Sequence, residues 1–293
     1  MKILIIGGEG RLGRPVVEHL DAAGHKVRVV SRHPTSRPSW LPETAEYVAG
    51  DATDTTSIVA AAQGCDAVHI TVSGAAELDA VVSATAAATA NRMAVISYVS
   101  GSATFPANER YPVIATKLAA ERAIEACGVP SIVLCPSFSM DVLPMHIQHG
   151  LAAYFGKQPH PFHWLAASDF GRLVTAAYDS PDSRGERLFI RGPEAISMRE
   201  TLRRYAEWLD LRLSRPVSLP FWAAKRLARI TRDHEMAIAV DVYEMYEGVG
   251  GDGGDPERAL DLLGPATTTL HDWLTTPASP GWGENRGIAG SDR

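Results

Sequence analysis

The sequence predicts an α/β protein, a doubly wound parallel sheet with a smaller α/β lobe toward the C-terminus. Three observations predict it. The run Ile3-Leu4-Ile5-Ile6 is apolar without alternation, as in a strand buried on both faces of a parallel sheet. It runs into a glycine turn, GGEGRLG at 7–13, and then into apolar positions at helical spacing. Apolar runs alternate with helical segments as far as Pro136, an order that gives a parallel sheet covered by helices on both faces.

The first helix carries Leu12, Val16, Val17 and Leu20 on one face and stops at Gly24. Strand, glycine turn and helix together make a place for a pyrophosphate. Gly7, Gly10 and Gly13 let backbone approach an anion, and the helix start offers unpaired N–H groups and a positive dipole end. Arg11 and Leu12 lie in the same turn and are counted among the cofactor contacts. The competing reading is a tight strand–helix turn that binds nothing. The second strand, Lys26 to Val30, ends at Ser31 and Arg32. An NAD site usually places Asp or Glu there to accept from the adenosine ribose. Here the acid is absent, and a guanidinium suits a 2′-phosphate. The expected cofactor is therefore NADP, with NAD the alternative if Arg32 is only a surface residue.

Residues 34–44 are a loop rich in Pro and Ser, and a third strand, Glu46 to Ala49, ends at Gly50-Asp51. The helix Thr55 to Ala62 closes at Gly64. The fourth strand, Ala67 to Thr71, is followed by Val72-Ser73-Gly74, small residues that suit close approach of a ribose. An alanine-rich helix, Ala75 to Ala90, has strongly helix-forming composition. The fifth strand, Ala94 to Val99, runs into SGSATF, and Pro112 suits the first position of a helix carrying Lys117, Leu118 and Glu121. The sixth strand is Ser131 to Leu134. Ligands of such a sheet bind outside the C-terminal strand ends.

These residues resemble an atypical short-chain dehydrogenase/reductase with a Rossmann fold, nearest the NmrA-like and epimerase-like branch. The resemblance rests on GGEGRLG at 7–13, Gly50-Asp51, SGSATF at 100–105, KLAAE at 117–121, SDFGRLVTAAY at 168–178 and LFIRGPEAISMRE at 188–200. It implies that Asp51 sits near the adenine, and Ala52 and Thr71 are counted with it among the cofactor contacts. Ser73 and Gly74 would line the path from ribose to nicotinamide, and Lys117 would hold the nicotinamide ribose. The family's catalytic pair is Tyr-x-x-x-Lys with a Ser or Thr at the end of the fifth strand. Ser102 matches the serine and Lys117 the lysine, but the tyrosine position is Val113. Tyr111 lies six residues before Lys117, a spacing that does not stack it over the lysine in a continuous helix. With Pro112 opening the helix, Tyr111 falls on the preceding loop. Ser102, Lys117 and Tyr111 are the candidate catalytic residues. Their plainer readings are a turn serine, a lysine paired with Glu121 and a loop tyrosine covering the core.

After Pro136 the stretch 137–164 is rich in Met, His, Pro and aromatics. It suits the wall of a pocket for an apolar small molecule, and equally the core of a small lobe. His146 and His149 are three apart, as are His160 and His163, but no carboxylate–histidine signature accompanies them and no metal is expected. One of them could stand in as a proton donor. Residues 221–246 read as helix with a break near Thr231-Arg232-Asp233. The expected organisation is a dinucleotide-binding domain over 1–136, a substrate lobe over 137–276 interleaved with it, and a disordered tail over 277–293.

The 293-residue chain is 45% apolar and 21% charged with a net charge of −6, so no basic footprint points to nucleic acid. Three cysteines without a CxxC pattern suggest reduced thiols and the cytoplasm. A strand starting at residue 2 leaves no room for a signal peptide, and no apolar run has membrane-spanning length. The leading expectation is an oxidoreductase transferring hydride from NADPH to a small apolar carbonyl or conjugated compound. The competing class is a non-catalytic dinucleotide sensor acting on a protein partner, favoured by Val113. A third is epimerase or dehydratase chemistry on tightly held NAD, weakened by the missing tyrosine.

Overall fold

In the computed structural model Ile3, Leu4, Ile5 and Ile6 are buried in an interior strand of a sheet. The structure describes residues 1–34 and 36–276. In chain order the elements begin with β1 (Lys2–Ile6), α1 (Gly13–Ala22), β2 (Lys26–Ser31), β3 (Glu46–Ala49), α2 (Thr55–Ala61) and β4 (Ala67–Ile70). Then come α3 (Glu77–Ala90), β5 (Val95–Val99), α4 (Pro112–Ala126), β6 (Ser131–Pro136), β7 (Ile147–Gln148), β8 (Leu151–Phe155) and β9 (Pro161–Trp164). The rest are α5 (Ala167–Asp179), β10 (Arg187–Ile190), β11 (Glu194–Ser197), α6 (Met198–Trp208), β12 (Leu213–Leu219), α7 (Phe221–Thr231), α8 (His234–Val249), α9 (Glu257–Leu263) and α10 (Leu270–Thr275).

The chain forms two units. The first comprises Met1–Pro136, Ala167–Arg191 and Gly254–Ala266. Its sheet has seven strands in the order β10-β6-β5-β4-β1-β2-β3, all parallel. Chain direction across the sheet reverses between β1 and β4, and that switch point is where an open α/β sheet opens a crevice at its strand ends. α1 packs closely on α5: a Cβ on Gly171 would lie 2.5 Å from the Pro15 carbonyl oxygen, so only glycine fits. α2, α3 and α4 pack side by side. Within the range 137–276 expected for the lobe, α5, β10 and α9 belong to this first unit.

The second unit comprises Ser137–Ala166, Gly192–Gly253 and, among the described residues, 267–276. It holds two small sheets, β11-β9 and β12-β8-β7. Phe138, Phe162, Trp164, Tyr243 and Tyr246 are buried against one another, with ring centroids 4.9–5.9 Å apart. Of the two readings of 137–164, these aromatics follow the core reading. The helix break falls where the sequence put it: Arg232 is left-handed at φ 54°, and the Asp233 side chain accepts from the Met236 N–H at 2.9 Å to start α8. The expected tail, 277–293, lies outside the described residues.

Each unit buries a neutral histidine. In the first, His69 Nδ1 is 2.7 Å from Ser97 Oγ, Ser97 Oγ is 2.5 Å from Tyr178 Oη, and Tyr178 donates to the Val68 carbonyl at 3.3 Å. That last bond orients the chain of donors back to His69 Nδ1–H, leaving Nε2 a bare acceptor without a partner. Burial pulls His69 down to about 3. In the second unit His146 Nδ1 donates to Ala153 O at 2.8 Å, its Nε2 accepts from Tyr243 at 2.6 Å, and burial pulls it down to about 4. Both lowered values mean that the unfolded chain takes up protons below about pH 6.5 that the folded chain refuses. Stability is therefore present above that pH and lost as pH falls toward the folded values. The expected loss is about 2 kcal/mol for each histidine at pH 5. Urea melts at pH 7, 6 and 5 should show it, and a stability unchanged over that range would contradict both assignments.

Candidate dinucleotide-binding site

The glycine turn is fixed by packing against the end of β4. Gly7 has φ 88°, and a Cβ there would lie 2.7 Å from the Thr71 carbonyl oxygen. A Cβ on Gly13 would lie 2.1 Å from the Gly7 carbonyl oxygen and 2.8 Å from the Gly8 Cα. The Gly10 N–H closes the turn on Gly7 O at 3.0 Å. Leu12 occupies the cap position of α1 without a side-chain cap bond, and the first turn carries no acidic residue. Gly7, Gly10, Arg11, Leu12, Gly13 and Thr71 thus gather at the switch point, with the N-terminal N–H groups of α1 uncapped by any side chain there. Ser73 is exposed beside Gly74, just past the end of β4.

Ser31 ends β2 and is buried, whereas Arg32 is exposed. Asp51 accepts from the Thr53 N–H and hydroxyl at 2.9 and 2.8 Å. Those bonds, helped by the Arg32 charge, hold its carboxyl below the usual range. Ala52 follows it, half-buried. The strand tip carries two residues that the sequence reading missed. Glu9, from the glycine turn, accepts from Ser31 Oγ at 3.3 Å and from Tyr47 Oη at 2.5 Å. Burial, then this contact with Glu9, raise the Tyr47 phenol. An acid inside a turn otherwise suited to an anion was the available signal.

At the other end of the crevice Lys117 lies in the second turn of α4. Its ammonium donates to Glu77 Oε1 at 2.7 Å and to the Val99 carbonyl at 3.4 Å. Glu77 is buried and also accepts from the Tyr98 phenol at 2.5 Å. Burial and the Glu77 charge push that phenol far above its ordinary range, so it stays protonated. Glu121 takes Ser100 and Arg187 instead of Lys117. Ser102 is buried, its N–H on Pro136 O at 3.2 Å. Tyr111 caps α4 by position, half-buried, with the Arg110 guanidinium 4.8 Å from its ring centre. Val113 stands in the first turn of α4, at the position where the resemblance implies a tyrosine. The structure therefore brings Lys117 to Glu77 and Tyr98, and Tyr111 to Arg110. Among the described residues no group of three or more His, Cys, Asp or Glu could hold a metal ion, and no helix is long and apolar enough to cross a membrane.

A seven-stranded parallel sheet with a glycine turn at its switch point is a Rossmann-like α/β fold, and that turn is where such sheets receive a dinucleotide. Residues 7–150 match the NAD(P)H-binding family, the class expected from the resemblance of the sequence to atypical short-chain dehydrogenase/reductases. Phenylcoumaran benzylic ether reductase of Ginkgo biloba is 29% identical over 66% of this chain and 69% of the reductase. An uncharacterised Mycobacterium tuberculosis protein is 33% identical over 89 residues, 27% of this chain and 10% of that longer protein. Among solved structures, a Staphylococcus aureus nucleoside-diphosphate-sugar epimerase has a TM-score of 0.78 at 18% identity, covering 94% of this chain and 100% of the epimerase. An Escherichia coli NADPH-dependent quinone oxidoreductase bound to NADPH has a TM-score of 0.75 at 16% identity, covering 93% and 98%. Such structures share the fold.

Proposed function

We propose that this chain is an NAD(P)H-dependent oxidoreductase that transfers hydride to a small, mainly apolar carbonyl or conjugated compound. The observation that carries the reading is the packing of Gly7 and Gly13 at the switch point, where no other residue fits. Reductases among the relatives, including the quinone oxidoreductase and the phenylcoumaran benzylic ether reductase, support the reaction class. When bound, the cofactor supplies the hydride from its nicotinamide ring. The glycine turn and the start of α1 would hold the pyrophosphate. Lys117 spends two N–H groups on Glu77 and Val99, leaving one of its three for a ribose hydroxyl. Its charge is balanced by Glu77, so it does not tune a phenol. The proton that completes reduction would come from water. That favours conjugated acceptors, whose reduced anion is delocalised and needs no strong acid beside it. The unpaired cysteines, with Cys65 and Cys135 buried, suit a reducing cytoplasm.

The test is NAD(P)H oxidation with a panel of quinones, enones and simple ketones. Conjugated acceptors should turn over and simple ketones should not, and Tyr111→Phe should stay within about twofold of the parent, well short of the roughly hundredfold a general acid contributes. A fall of that size in the Tyr111 variant would make Tyr111 the acid. Dinucleotide binding without oxidation by any acceptor would favour the second reading, a non-catalytic sensor. That reading draws on Val113 and on the neutralised Lys117.

A further inference from the structure

We propose that Glu9 selects the dinucleotide with a free 2′-hydroxyl, NAD(H), over the 2′-phosphorylated form. The inference rests on the dinucleotide-binding reading above. NAD sites usually hold the adenosine ribose with an acid at the end of the second strand, and here that position is Ser31. The carboxylate arrives instead from the glycine turn. Glu9 is exposed, yet both its oxygens are held, one by Ser31 Oγ at 3.3 Å and the other by Tyr47 Oη at 2.5 Å. Two strands thereby fix an acid at the tip of β2. A carboxylate only accepts hydrogen bonds. It matches a ribose hydroxyl and repels a phosphate, with no proton to share between them.

The basic residues nearby do not reverse this. The Arg32 charge already acts on Asp51. Arg14 donates from Nε to the Glu9 carbonyl at 3.1 Å, and its guanidinium lies 4.9 Å from the Trp40 ring centre. Arg37 donates to the Pro42 carbonyl. The carboxylate is therefore the group that hydrogen bonds from two strands fix at the strand tip, whereas Arg32 is exposed and Arg14 and Arg37 are engaged within the loop.

The test is fluorescence titration of the full chain with NADH and with NADPH, for the parent, Glu9→Gln, Tyr47→Phe and Arg32→Ala. The parent should bind NADH at least tenfold more tightly, a difference of about 1.4 kcal/mol. Glu9→Gln should shrink the ratio below about threefold, mainly by strengthening NADPH. Tyr47→Phe, which frees the carboxylate without removing it, should give an intermediate ratio, and Arg32→Ala should leave the preference for NADH in place. A parent that prefers NADPH, or a ratio unmoved by Glu9→Gln, overturns the proposal while leaving the dinucleotide site standing. Binding of neither cofactor by any of the four proteins overturns the site itself, and the proposal with it.

Discussion

Replacing Lys117 by methionine is expected to lower stability by about 3–5 kcal/mol, the cost of leaving a buried charge without its partner. The Glu77 side chain is 3% exposed and Lys117 13%, and they meet at 2.7 Å. With the ammonium gone, the carboxylate keeps the Tyr98 phenol as its hydrogen-bond donor. Glu77→Gln together with Lys117→Met should recover most of the loss, because neither charge is then stranded. Urea melts of the parent, the single variant and the double variant measure this. A single variant within about 1 kcal/mol of the parent would show that water reaches the pair and that Lys117 is free to support a catalytic phenol. The pair thus bears on chemistry as well as on stability: a lysine neutralised within the fold can hold a ribose but cannot draw a phenol toward neutral pH.

Much of this was legible in the sequence wherever the signal is local. Ile3-Leu4-Ile5-Ile6 could only be a strand buried on both faces, and the glycine spacing 7–10–13 announced a turn in which backbone meets backbone. Asp233 marked a helix start because its carboxylate caps α8, and Arg232 just before it takes the left-handed conformation that ends α7. What escaped the reading depends on contacts between distant residues. Glu9 and Tyr47 are 38 positions apart, and Glu77 and Lys117 are 40 apart. Neither pairing leaves a periodicity, and the lysine looked available because its partner could not be seen. The strand at Leu213–Leu219 was missed for a similar reason. Its sequence carries Pro216 and Arg215, and it pairs parallel with β8, more than fifty residues earlier. Ala167–Arg191 belongs to the first unit because α5 meets α1 through Gly171, a contact between distant residues that no local pattern announces.

Gly13→Ala is expected to cost about 2–3 kcal/mol and to remove measurable dinucleotide binding. The new methyl would lie 2.1 Å from the Gly7 oxygen and 2.8 Å from the Gly8 Cα, both backbone atoms that no rotamer change can move. Either α1 must shift away from β1 or the turn must open, and in both cases the N–H groups at the helix start lose their aim. Gly10→Ala makes the informative contrast. Its methyl would meet only the Gly7 oxygen, at 3.2 Å, so the fold should give by a few tenths of an ångström and stability should fall by less than about 1 kcal/mol. Any large loss of affinity in that variant therefore comes from the ligand's side of the turn. About tenfold weaker binding of NADH and NADPH alike, with the melt nearly unchanged, is the result expected of a pyrophosphate lying over Gly10. Unchanged affinity for both would move the pyrophosphate off the turn. A Gly13→Ala protein as stable as the parent would mean that the close contact with Gly7 does not constrain α1, and the packing argument for a glycine at that position would fail.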